Sequence, residues 1–158
     1  MAYNEINGNL ITLAYDNQFE VIAHGCNCLS TMGAGLAPQM AKAFGCDKYD
    51  MELIGPTINK LGSIDYKLFE PLNLYVVNAY TQFYYGTNHK DGVYKPIDYE
   101  ALTLRLRKMN TIFKFKKIGL PQIGAGLAGG DWNLIKSIIQ KELHQCDTTV
   151  VIFNKKTS

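Results

Sequence analysis

The chain has 158 residues, enough for one domain with a substantial hydrophobic core, and we expect a single domain over residues 1–158. Its residues are 47% hydrophobic and 19% charged, which excludes an intrinsically disordered chain. The net charge of +2 is too small to indicate a nucleic-acid partner, and no apolar run is long enough to span a membrane. The first residues lack the basic and apolar regions of a signal peptide, so we expect a cytoplasmic protein with neither a membrane nor a nucleic-acid partner.

Short strands alternate with helices along the sequence. In chain order, the predicted elements are a strand at 3–6, a segment at 10–13 that fits either state, a strand at 19–23, a helix at 36–44, an interrupted helix at 46–60, strands at 64–69 and 73–80, a helix that begins after Asp98, a strand at 117–123, a helix at 132–145 and a strand at 148–153. The strands at 19–23 and 73–80 are apolar enough for the interior. This alternation indicates an α/β fold, a three-layer α/β/α domain for which we expect a central mixed sheet.

Two loops are rich in glycine, and each lies between a predicted strand and a predicted helix. They contain Met32-Gly33-Ala34-Gly35-Leu36 and Gly124-Ala125-Gly126-Leu127. Glycine allows the backbone to approach a ligand closely, and N–H groups ahead of a helix bind anions. Neither loop has the full dinucleotide-binding or P-loop pattern. Together they favour a clamp on a phosphorylated ligand, although each alone is equally consistent with a tight turn.

Three polar residues beside these loops are candidates for chemistry. His24 follows an apolar strand and can transfer a proton near neutral pH, or it can be a structural histidine. Asp131 precedes a predicted helix, where it can cap the helix, act in catalysis, or do both. Asn27 offers both a donor and an acceptor to sugar hydroxyls. The long polar and aromatic loop at 81–96 is a further candidate for a functional segment.

The four cysteines, at positions 26, 28, 46 and 146, do not indicate a metal site. His24, Cys26 and Cys28 alternate along the chain, but structural zinc sites place two to four residues between their cysteines, and no fourth ligand is evident. We therefore expect reduced, buried cysteines, no metal and no cofactor.

Three segments resemble a macro domain, and they occur in the order typical of that family. They are Gly8-Asn9-Leu10-Ile11-Thr12, the stretch from Ile22 to Ala37, and the stretch from Leu120 to Trp132. The resemblance spans nearly the whole chain and implies an α/β/α fold that binds ADP-ribose. It implies adenine contact at 8–10, distal ribose contact at 32–37 and phosphate contact at 124–130. The expected ligand-binding residues are Asn9, Leu10, Asn27, Met32, Gly33, Ala34, Gly35, Leu36, Thr81, Gly124, Ala125, Gly126, Leu127 and Phe153.

The motif His24-Gly-Cys-Asn27-Cys resembles the branch of ADP-ribose-1″-phosphate phosphatases and their relatives, which includes phage-encoded members. This resemblance implies hydrolysis of the terminal phosphomonoester, with His24, Asp131 and Asn27 as catalytic residues. In the family pattern Asn9 replaces an aspartate that accepts a hydrogen bond from adenine, so this contact loses its charge. Gln82 stands where lysine-dependent glycohydrolases have their lysine, which counts against that mechanism.

Two other functions are compatible with the same resemblance. The protein could bind ADP-ribose with little turnover, or it could remove ADP-ribose from a protein or nucleic acid. Both stay open because a fold indicates which class of ligand is bound more reliably than it indicates which reaction is catalysed. In each case we expect a monomer whose partner is ADP-ribose or its 1″-phosphate.

Overall fold

The computed structural model describes residues 2–27, 36–46, 64–82, 98–123 and 130–153. The strands and helices are, in chain order, β1 (Tyr3–Gly8), α1 (Leu10–Tyr15), β2 (Val21–Asn27), α2 (Ala37–Phe44), β3 (Ile64–Phe69), β4 (Leu74–Gln82), α3 (Tyr99–Ile112), β5 (Lys117–Leu120), α4 (Trp132–Glu142) and β6 (Asp147–Phe153). A 3₁₀ turn, Glu70–Leu72, joins β3 to β4. Within these ranges no helix is long and apolar enough to cross a membrane.

The six strands form one mixed sheet in the order β1-β6-β5-β2-β4-β3. The first five strands in this order are parallel to their neighbours, and β3 at the far edge is antiparallel to β4. Because parallel strands share one direction, the chain leaves β1, β2, β4, β5 and β6 at the same edge of the sheet. We call this edge the carboxyl edge.

A hydrophobic core lies on each face of the sheet. On one face, α3 and α4 contribute Leu102, Leu106, Met109, Ile135 and Ile139, which pack against Val21, Ala23, Val77 and Ala79. On the other face, α1 and α2 contribute Leu10, Ala14, Met40 and Phe44, which pack against Ile22, Leu74 and Val76. Successive side chains of β2 and β4 therefore point into different cores, because neighbouring residues of a strand lie on opposite faces of the sheet. The predicted three-layer α/β/α fold with a central mixed sheet is confirmed.

Local sequence signals placed several elements correctly. The strand β3 has its predicted bounds, and α2 ends at Phe44 as predicted, before Gly45, whose φ of 67° is typical of glycine at a helix end. The side chain of Asp98 caps α3 by accepting a hydrogen bond from the backbone N–H of Ala101 at 3.0 Å. Leu102, Leu106, Met109 and Phe113, which recur at helical spacing in the sequence, are all buried.

Other bounds differ from the prediction, each for a local reason. The ambiguous segment at 10–13 belongs to α1, because Asn9 caps it by accepting the Thr12 N–H at 3.0 Å. β5 ends at Leu120, since Pro121 has no N–H to continue the ladder. β2 continues to Asn27, four residues beyond the predicted strand, so His24 lies within the sheet. α4 ends at Glu142 instead of residue 145. The predicted helix at 46–60 lies outside the described residues.

A test of packing within the sheet comes from Gly119, over which the ring of Phe19 lies. A Cβ at position 119 would stand 2.6 Å from Cδ2 and 2.7 Å from Cε2 of that ring. We expect Gly119→Ala to lower the free energy of unfolding in urea by about 1–3 kcal/mol, because ring or strand must move. The control is Gly8→Ala, whose Cβ would be 3.4 Å from its nearest neighbour, Leu13 Cδ1. In combination with Phe19→Leu, the loss should be less than the sum of the two single losses; simple additivity would contradict the steric explanation.

Candidate functional site

The carboxyl edge collects predicted site residues that are far apart in the sequence. Asn9 directly follows β1, and Phe153 is the last residue of β6. Asn27 ends β2, and Thr81 is the penultimate residue of β4. Asp131 begins α4, the helix that follows β5. The parallel sheet therefore brings parts of the predicted site together from five strands.

Strand pairing defines two neighbouring parts of this edge. Gly8 pairs with Phe153, so Asn9 lies one residue beyond that pair. On the other side, Asn27 pairs with Gln82, because an irregularity between Cys26 and Asn27 shifts the register of β2 against β4. Irregularities of this kind are common next to binding sites, where they redirect the strand end.

His24 takes part in a buried polar chain. It is 1% exposed, and its Nε2 lies 2.8 Å from Oδ1 of Asn78, its pairing partner on β4. The Nδ2 group of Asn78 donates a hydrogen bond to the backbone carbonyl of Cys46 at 2.7 Å. The Sγ atom of Cys46 is 3.7 Å from the same Nε2. This chain links β2, β4 and the residue that follows the C-cap of α2.

The surroundings of His24 favour a neutral ring. Burial lowers its pKa from 6.5 to about 4; the hydrogen bond with Asn78 opposes this shift, and the positive charge of Arg105 adds to it. Protonation of a leaving group at neutral pH requires the charged ring, which this burial opposes. A catalytic role for His24 stays a prediction, and its expected role as a proton donor has no support in these surroundings.

Two residues of this region escaped the sequence analysis. Asn78 lies inside an apolar strand, and Arg105 is fully buried on α3. A signal existed for Arg105, because it falls three residues after Leu102 and four before Met109, a spacing that helical periodicity assigns to the buried face. Polar groups at such positions are costly to bury without partners, so they usually have a specific role.

Asp131 has the capping role that was considered for it. Its Oδ1 accepts a hydrogen bond from the Asn133 N–H at 3.0 Å, and its own N–H donates to the Tyr99 hydroxyl at 2.8 Å. The second contact joins the start of α4 to the first residue of α3. The side chain is exposed, and a carboxylate can accept several hydrogen bonds, so capping is compatible with a second role.

The residues expected to meet adenine differ in accessibility. Phe153 is 55% exposed, whereas the side chain of Leu10 is 4% exposed and packs in the core beneath α1. The Oδ1 atom of Asn9 already caps α1, so an adenine amino group would share this acceptor with the Thr12 N–H. Leu36 is the N-cap residue of α2 and packs partly against the same core.

Several predicted positions lie outside the described residues. They are Met32, Gly33, Ala34, Gly35, Gly124, Ala125, Gly126 and Leu127 of the two glycine-rich loops, together with Cys28 and residues 83–96. In the part of the chain that is described, no three histidine, cysteine or acidic side chains are grouped as metal ligands. Cys46 and Cys146 are buried and form no disulfide.

No protein-family model matches the sequence. The chain is 33% identical over 161 residues to an uncharacterised 17.5 kDa protein from the tk-vs intergenic region of Enterobacteria phage T4, with 96% of each chain covered. Among solved structures, the macrodomain of Thermus aquaticus DarG is similar with a TM-score of 0.70 and 22% identity, over 97% of this chain and 98% of that one. The Thermosipho africanus DarTG structure, in complex with ADP-ribose, has a TM-score of 0.72 and 14% identity, over 100% of this chain and 43% of that one.

The burial of His24 predicts a pH dependence of stability. The unfolded ring takes up a proton near pH 6.5 and the folded ring only near pH 4, so the unfolded state binds more protons between these values. Stability should therefore fall as the pH is lowered from 6.5 to 4, by about 3 kcal/mol from this group. Urea unfolding at several pH values measures it. His24→Gln should flatten the dependence and His144→Gln, a change of an exposed histidine, should not; equal profiles for all three proteins would contradict the assignment.

Proposed function

Because this chain belongs to the same family as the 17.5 kDa phage T4 protein and has the macrodomain fold, we propose that it binds ADP-ribose at its carboxyl edge. The observation that carries the proposal is the convergence of Asn9, Asn27, Asp131 and Phe153 on this edge. Open parallel sheets bind ligands outside the carboxyl ends of their strands. The complex of the similarly folded DarTG with ADP-ribose supports the same ligand class.

The adenine would occupy the part of the edge formed by the ends of β1 and β6. Phe153 is exposed there, beside the Gly8–Asn9 segment. An exposed aromatic ring offers a stacking surface to a base, and a strand end offers backbone groups to its edge. Stacking and backbone contacts of this kind can bind a purine even though Asn9 has no charge.

The pyrophosphate would lie between the two glycine-rich loops. These loops leave β2 and β5, which are adjacent in the sheet, with Val21 paired to Ile118. In sequence, the two loops therefore follow strands that are neighbours in the sheet, which supports the predicted clamp. Backbone N–H groups ahead of α4 would add to the attraction for phosphate.

Hydrolysis of ADP-ribose-1″-phosphate to ADP-ribose and phosphate is a second candidate function. The exposed carboxylate of Asp131 favours it, because this group can orient a water for attack on the phosphomonoester while one oxygen caps α4. Asn27 would hold the ribose hydroxyls. His24 donates no proton in this proposal, since its ring is buried and neutral at pH 7. The glycohydrolase alternative has less support because position 82 is a glutamine, which cannot form the covalent adduct that a lysine would form.

Calorimetric titration with ADP-ribose tests the binding function. We expect a saturable signal, and about tenfold weaker binding by Phe153→Ala, because base stacking on an aromatic side chain contributes about 1–3 kcal/mol. Phe115→Ala is the matched control, since this 68% exposed ring lies in the turn before β5, at the opposite edge of the sheet. The absence of binding by the unaltered protein would overturn the proposal. Equal losses in both variants would overturn the adenine placement.

Phosphate release from ADP-ribose-1″-phosphate tests the second function. Asp131→Asn keeps an oxygen for the helix cap but removes the charge, so we expect a rate lower by about 10²-fold with little loss of stability. Asp98→Asn makes the same change at the N-cap of α3 and should leave the rate near that of the unaltered protein. Binding of ADP-ribose without phosphate release would reject the hydrolase and retain the binding module.

A further inference from the structure

The amide of Asn78 has two different partners, and these determine its orientation. One partner is the backbone carbonyl of Cys46, which can only accept a hydrogen bond, so the NH₂ group must face it across 2.7 Å. The other end of the amide, Oδ1, then faces His24 Nε2 across 2.8 Å. Both bonds lie in the interior, since Asn78 is 1% exposed and Cys46 is fully buried.

This orientation determines where the imidazole carries its proton. Because Oδ1 of Asn78 can only accept, the hydrogen of this bond must come from His24 Nε2. In the neutral ring the second nitrogen, Nδ1, then has a lone pair instead of a proton. The carbonyl of Cys46 thus selects one of the two histidine tautomers through the intervening amide.

The chain lies directly behind the irregular part of the β2–β4 ladder. His24 and Asn78 are paired in regular register, and the register shifts two residues later, between Cys26 and Asn27. A register shift of this kind disrupts the ladder locally. The buried side-chain bond just before the shift joins the two strands to each other and, through Asn78, to the segment after α2.

We propose that Asn78 is a positioning residue, which fixes His24 as the Nε2–H tautomer and thereby holds the ends of β2 and β4 in place at the carboxyl edge. In this proposal His24 is likewise a positioning residue, because its bond to Asn78 holds the strand that ends at Asn27. The expected effect on ADP-ribose affinity rests on the proposed function; the tautomer does not.

Nuclear magnetic resonance of protein labelled with ¹⁵N-histidine tests the tautomer directly. Of the three histidines in the chain, His24 is identified by the signal that His24→Gln removes. At neutral pH we expect the nitrogen shifts of a protonated Nε2 and an unprotonated Nδ1. The opposite tautomer, an equal mixture or a charged ring in the unaltered protein would overturn the inference.

Substitutions then test the role of Asn78. Asn78→Ala removes the acceptor for Nε2–H and should give a mixture of the two tautomers. The matched control is Asn110→Ala, because Asn110 is also buried but bonds to Gln145, and its loss should leave the His24 signals unchanged. A pure Nε2–H tautomer in Asn78→Ala would overturn the role. If that variant does not fold, the unaltered protein decides: an unprotonated Nε2 overturns the inference.

Binding measurements separate this inference from the proposed function. We expect Asn78→Ala to weaken ADP-ribose binding by about tenfold and Asn110→Ala to leave it unchanged. If the unaltered protein does not bind ADP-ribose, the proposed function fails while the tautomer result stands. If it binds and Asn78→Ala binds equally well, the positioning role fails and the proposed function stands.

Discussion

Because β1, β6, β5, β2 and β4 run in the same direction, their carboxyl ends meet at one edge and helices must cover both faces of the sheet. Each face of the sheet is therefore covered by one of the two apolar cores. Exposed polar and aromatic groups such as Asp131 and Phe153 are left to the edge. The direction of the strands thus determines both where the ligand can lie and which residues, distant in sequence, can meet it.

The polar groups inside the sheet need a different explanation from those at its edge. His24 and Asn78 replace apolar residues at paired positions of two central strands, and their mutual bond offsets part of the cost of burying them. The ring loses its usual ability to gain a proton at neutral pH, and gains a fixed orientation. A neutral ring with a fixed orientation suits a residue that holds two strands together, whereas a general acid needs a ring that gains and loses a proton.

The sequence predicted features that depend on local signals. Asp98 and Asp131 were identified at helix starts because capping involves residues only two or three apart, and the buried face of α3 follows from spacing within one helix. The burial of His24 was not predicted, since it depends on how far β2 extends beside β4. Its bond to Asn78 joins residues 54 apart in sequence, a relation that only the pairing of strands creates. The burial of Arg105 was not predicted, because a charged side chain at a core position of a helix is normally expected at the surface.

The pairing of β1 with β6 also bears on how the protein is made. The backbone N–H of Ala2 donates to the side chain of Asp147, 145 residues away in sequence, and Gly8 pairs with Phe153. During synthesis β1 must therefore wait until β6 has left the ribosome, and until then its edge on that side lacks this partner. Contacts of such long range are slow to form because they close a large loop. The corner of the molecule that offers Asn9 and Phe153 is thus completed only after β6 has been synthesised, so nascent chains that stop short of β6 would lack it.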